Sequence, residues 1–96
     1  MTLNERITNA FKELRKLGYF ARQNFKCCQT CGWAAVPEGR TKVVFYHSQD
    51  KSRLDRYGEC YLAWDGDGKE ITGILEKHGL IVNWNGKDTT RIRVSN

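Results

Sequence analysis

Residues 42–64 read KVVFYHSQDKSRLDRYGECYLAW, and this stretch decides the fold class. Lys42 to His47 is a β-rich run, with Val43, Phe45 and His47 on one face of an expected strand and Val44 and Tyr46 on the other. Ser48 is placed to cap a short helical turn through about Arg56, which Tyr57 and Gly58 end. From Cys60 to Trp64 the alternation returns, with Cys60, Leu62 and Trp64 opposite Tyr61 and Ala63.

N-terminal to this stretch, Leu3, Ile7, Ala10, Phe11, Leu14 and Leu17 recur at three- and four-residue spacing, the stripe of an amphipathic helix over about 3–17. Thr2 with Glu5 fits a capping box, and Gly18 fits the C-terminal stop. Tyr19 to Phe25 reads as a short strand with impure alternation. Residues 27–36, CCQTCGWAAV, read as a short helix or a cysteine-bearing turn, closed by Pro37-Glu38-Gly39. C-terminal to the stretch, Asp65-Gly66-Asp67-Gly68 is a turn by composition, too short for the 12-residue ligand series of an EF-hand. A second helix is expected over 69–78, with Ile71, Ile74, Leu75 and His78 on one side and Gly79 as its stop. Leu80 to Trp84 is a strand, and Asn85-Gly86 predicts a two-residue hairpin turn to a last strand over about 87–94.

Two strong helices cannot cover both faces of a parallel sheet. The expectation is therefore an α+β fold: a mixed or mostly antiparallel sheet of about four to five strands with helices packed on one side. Ninety-six residues suit a single compact domain spanning 1–96. A chain of this size buries roughly 60–65% of its unfolded surface, enough for one modest core.

No stretch approaches the roughly 20 apolar residues of a membrane span, and the N-terminus has no continuous hydrophobic region of a signal peptide. The expected location is cytoplasmic, where four cysteines are thiols or metal ligands rather than a disulfide framework. The net charge of +5 is uneven: residues 1–26 and 40–56 are basic, while 59–70 are acidic. Arg22, Lys26, Arg40, Arg53 and Arg56, with Trp33 and Tyr57, offer a basic and aromatic surface to a nucleic acid or nucleotide. No helix-turn-helix, RNA-binding aromatic motif or complete zinc finger accompanies them, so no sequence-specific nucleic-acid binding is expected. The expected partner is a protein or small molecule, with no membrane. HExxH, GxSxG and a Gly-rich phosphate loop are all absent from the sequence.

Chemistry concentrates at Cys27, Cys28 and Cys31. Cys28-Gln29-Thr30-Cys31 is a CxxC, whose spacing turns two sulfurs toward one metal or toward each other. Three readings stand side by side. In the first, Cys28, Cys31 and His47 converge on a metal, with Cys27 or Cys60 as a fourth ligand and zinc as the metal. In the second, Cys28 and Cys31 form a dithiol switch at a helix start. In the third, the cysteines are packed as small hydrophobes. His47 beside Asp50 is equally open to a ligand, a base or a hydrogen-bonded core histidine.

The segment Asn24-Phe25-Lys26-Cys27-Cys28-Gln29-Thr30-Cys31-Gly32, followed by Val44-Phe45-Tyr46-His47-Ser48-Gln49-Asp50, resembles a family of small uncharacterised bacterial proteins and domains. Residues 79–86 and Thr90-Arg91-Ile92 are similar to its C-terminal pattern. The resemblance implies that 27–31 and 47–50 form a shared feature, and it brings no activity, substrate or cofactor with it. The functional expectation is a non-enzymatic binding or regulatory protein with a structural cysteine cluster. The alternative is a small thiol-dependent enzyme or redox factor using Cys28 and Cys31.

Overall fold

The computed structural model describes residues 2–95. The chain runs α1 (Leu3–Lys16), β1 (Phe20–Arg22), α2 (Gln29–Ala35), β2 (Val43–Phe45), α3 (Ser48–Tyr57), β3 (Glu59–Asp65), α4 (Gly68–Lys77), β4 (Ile81–Asn83) and β5 (Ile92–Ser95). This is the expected order of elements. The five strands form one sheet in the order β1-β2-β3-β5-β4. β1 and β2 are parallel, joined through α2, and the other three pairings are antiparallel. The protein is thus α+β with a mixed, mostly antiparallel sheet.

Alternation sends the two faces of the sheet to different partners. Ala21, Val44 and Trp64 lie in register across β1, β2 and β3, and Cys60 and Val94 continue that face across β3 and β5. They join Ile7, Ala10, Phe11 and Leu14 of α1, Leu54 of α3, and Ile71 and Leu75 of α4 in the principal core. Fully burying a side chain such as Phe11 or Leu14 contributes about 1.5–3 kcal/mol, so this cluster dominates stability. The opposite face carries Phe20, Val43, Phe45 and Ala63, a smaller cluster against which Phe25 and Val36 pack. Helices on one side describes α1, α3 and α4. The seven-residue α2 lies over the other face, because a parallel β1–β2 pair needs a crossover and α2 supplies it.

The ends of the helices follow their caps. Thr2 and Glu5 form the reciprocal capping box that starts α1. Asp67 accepts from the N–H groups of Lys69 and Glu70 to start α4. The cap of α3 falls one residue before the expected Ser48: His47 Nδ1 accepts from the N–H of Asp50 at 3.4 Å. Gly58, at φ +69°, ends α3 in the left-handed conformation. Glu13 of α1 binds both His78 Nε2 (2.9 Å) and Lys77 Nζ (3.0 Å) at the end of α4, tying the two helices together. Those two hydrogen bonds, His78's first, hold the Glu13 carboxyl below its ordinary value.

The expected two-residue hairpin at Asn85-Gly86 is not formed. The last β4–β5 pair is Asn83↔Arg93, and residues 84–91 intervene between the strands. Asn85 Oδ1 instead accepts from the Lys87 N–H (3.0 Å) and the Thr90 hydroxyl (2.7 Å). The cause lies in Trp84. Its ring meets Trp64 edge-on at 5.5 Å and sits against Gly68, which carries the chain away from β5 before it can turn back. No helix among the described residues is long and apolar enough to cross a membrane.

Candidate functional site

The cysteine segment begins where β1 gives out. Asn24 (φ +50°) and Lys26 (φ +65°) both adopt the left-handed region, the only non-glycine residues described that do. Asparagine tolerates this conformation. Lysine does so at a cost of about 1 kcal/mol or more, so the surrounding contacts must hold it. Phe25, between them, donates its N–H to Tyr46 O at 2.8 Å and stacks edge-on to Phe20 and Phe45. Ser48 N–H donates to Lys26 O at 3.0 Å, and its hydroxyl donates to Cys27 O. The loop is therefore pinned to the junction of β2 and α3.

Cys28 then takes an extended conformation (φ −159°, ψ 172°) as the N-cap residue of α2. The helix is seated by Gly32 and Trp33. Trp33 meets the Phe45 ring edge-on at 5.1 Å, and a Cβ on Gly32 would lie 2.4 Å from that ring. Glycine at 32 is what lets the helix backbone reach the aromatic cluster.

The outcome is a tight group of three sulfurs. The Sγ atoms of Cys27, Cys28 and Cys31 all lie within 4.8 Å of one another, and Cys27 and Cys28 are 3.8 Å apart. Two sulfurs bound tetrahedrally at about 2.3 Å from a zinc ion are separated by about 3.8 Å. Cys27 and Cys31 are exposed and Cys28 is half-buried, so an ion has access from solvent. The thiols share protons unequally. The N–H of Cys31, foremost, then its side chain and that of Cys27, hold the Cys28 thiol below its ordinary value, although no full side-chain cap bond is formed. Hydrogen bonds with Cys27 and Cys28 push the Cys31 thiol up to about 11. A soft divalent cation would replace the shared protons and relieve the repulsion among three thiolates.

Neither His47 nor Cys60 belongs to this group. His47 is 7% exposed, with Nδ1 used as the α3 cap and Nε2 3.1 Å from Asp50 Oδ2. Cys60 is fully buried in the principal core, where desolvation foremost drives its thiol far upward and its Sγ faces Tyr61 O. It is the one cysteine that behaves as a packed hydrophobe.

His47 does share a hollow with the cluster. Cys28, Thr30, His47, Asp50, Arg53 and Arg91 line a polar cavity of about 350 Å³ beside the start of α3. Asp50 is 4% exposed, and its Oδ2 lies 3.6 Å from Arg91 Nη1 yet accepts no hydrogen bond. Arg53 and Arg91 both stand over the Tyr61 ring, at 5.7 and 5.0 Å. Arg91 had no signal in the sequence near the cysteines. Only the pairing of β5 with β3 brings it there.

Fold and site together define an α+β domain with a surface thiol cluster able to coordinate a metal ion. The chain belongs to the family described as Domain of unknown function (DUF6891), whose model matches residues 1–96. No curated protein and no solved structure matches it.

Proposed function

We propose that this protein is a non-enzymatic binding or regulatory domain in which Cys27, Cys28 and Cys31 hold a zinc ion. The observation that carries this reading is the spacing of the three sulfurs, within 4.8 Å of one another with one pair at the 3.8 Å edge of a zinc tetrahedron. Three thiolates leave one position of four. We assign it to His47, which borders the hollow that Cys28 lines; the imidazole would have to turn from Asp50 to reach it. Cys60 is left out of the sphere because it is fully buried in the principal core. The metal's role in this reading is to lock the loop that Lys26 holds in a left-handed conformation.

Cobalt(II) substitution tests the ligand set. Thiolate-to-cobalt charge-transfer absorption should appear at one equivalent and be abolished by Cys31→Ser. His47→Ala should weaken binding by at least the roughly 10- to 100-fold that losing an outer partner of a metal ligand costs. Tetrahedral cobalt bands that are unchanged in His47→Ala would give the fourth position to solvent.

A second reading is a dithiol switch, favoured by the opposite displacement of the Cys28 and Cys31 thiols. A metal-free protein whose Cys28 and Cys31 oxidise reversibly to a disulfide would establish it in place of the first.

A further inference from the structure

Three hollows adjoin across α2, α3 and the loop that leads into β5. The first, about 220 Å³, is lined by Trp33, Trp64 and Arg91; it shares Gln29 and Arg91 with the central one beside Cys28. The third, about 240 Å³, is lined by Ser52, Arg56 and Tyr57; it shares Gln49 and Arg53 with the central one. Through these shared residues they trace one run of surface, here called the groove. Trp33 stands at one end, 36% exposed, and Tyr57 at the other, 67% exposed. Arg91, Arg53 and Arg56 lie between them. Of the acidic groups that line it, Asp50 is withdrawn from solvent and Asp88 lies at the Trp33 end.

We propose that this groove binds single-stranded nucleic acid without sequence preference, with Trp33 and Tyr57 stacking on bases and Arg53, Arg56 and Arg91 neutralising phosphates. The chemistry is that of an extended polyanion with flat rings. Guanidinium groups spaced between exposed aromatic rings match phosphodiesters spaced between bases. A duplex would satisfy the arginines and leave both rings unused, because its bases are already stacked. The groove is built from α2, α3, the end of β3 and the loop that leads into β5; its rings and arginines are distinct from the proposed metal ligands, while its central hollow is the one that Cys28 and His47 border.

The test is fluorescence anisotropy with a labelled oligothymidylate of about 12 nucleotides, within the site sizes of single-strand binders. Three phosphate contacts at about −0.7 each predict a slope near −2 in log affinity against log salt. Tyr57→Ala should weaken binding by about 5- to 150-fold, the range for loss of one stacked base. Arg56→Gln should reduce the slope by about 0.7. Lys12→Gln, which removes the same charge from an exposed position on α1, should leave both affinity and slope unchanged. Equal weakening by Lys12→Gln and Arg56→Gln would overturn the proposal, since binding would then report only the net charge. So would an unaffected Tyr57→Ala, equal affinity for duplex, or equal competition by polyglutamate, the last marking an acidic-protein surface instead.

Discussion

At position 32 a single hydrogen atom decides how closely α2 approaches the sheet. A methyl group there would lie 2.4 and 2.8 Å from two carbons of the Phe45 ring. Phe45 is fully buried and held edge-on by Phe25 and Trp33, so the ring has nowhere to retreat. Gly32→Ala gains up to about 1 kcal/mol in helix propensity and meets an overpacking penalty of about 1–3 kcal/mol. The expected net is a loss of stability of about 1–2 kcal/mol, measured as a lower urea midpoint. An unchanged or higher midpoint would show that α2 is not seated on Phe45. At this scale Cys28 and Cys31 were legible through the CxxC motif, while Cys27 stood only as an alternative to Cys60 for a fourth ligand, and it is Cys27 that joins them. The CxxC spacing and the short turn between Val36 and Lys42 place His47 beside Cys28 and Cys31; it borders the hollow that Cys28 lines and lies outside the group of three sulfurs. The chain leaves β2 after Phe45, and His47 turns inward to cap α3 and meet Asp50. Capping by histidine carries no strong sequence signal, since Ser48 is the better cap by type.

Among the elements, α4 offers the cleanest contrast with α2. Gly73 lies in the middle of α4 on its exposed side, and a methyl group there would meet nothing within 4 Å. Gly73→Ala should therefore stabilise the protein by about 0.5–1 kcal/mol, because it removes only the backbone entropy cost of glycine in a helix. Asp67→Ala at the N-cap of α4 removes the acceptor for two N–H groups and should cost about 1 kcal/mol. Thermal midpoints that move in opposite directions for the two substitutions would confirm both; a destabilising Gly73→Ala would mean that face of α4 is covered. The helices α1 and α4 were legible because their hydrophobic spacing is regular, and in α1 the Thr2–Glu5 capping box agrees with it. The β4–β5 turn was not, although Asn85-Gly86 is the strongest local hairpin signal in the chain. The packing of half-buried Trp84 against Trp64 and Gly68 overrides a two-residue preference, and Asn85 serves a wider loop. Tertiary packing of one large side chain decided the outcome, and no window of a few residues contains it.

For the whole molecule, the α+β class was legible because strand-like alternation at 43–47 and 60–64 sits between two amphipathic helices. The parallel β1–β2 pair and the second cluster under α2 were not, since both depend on which strands become neighbours. Charge adds a global prediction. The Glu13 carboxyl is lowered by hydrogen bonds from His78 and Lys77, and that of Glu59 by its hydrogen bonds to Arg93. A carboxyl lowered on folding contributes stability that is full above its unfolded value, about 4.3 for glutamate, and is lost as pH falls through the lower folded value. Urea midpoints should fall as pH drops below about 4.3, and Glu59→Gln should flatten part of that fall; a midpoint that rises on acidification would contradict the ion pairs. Whether the thiol cluster holds a metal is decided by the zinc content of protein purified without chelator. One zinc per chain is expected in the wild type and none in Cys31→Ser. A folded wild-type chain that carries no zinc, takes none up when reconstituted in its reduced form, and leaves Cys27, Cys28 and Cys31 freely reactive would refute the metal site.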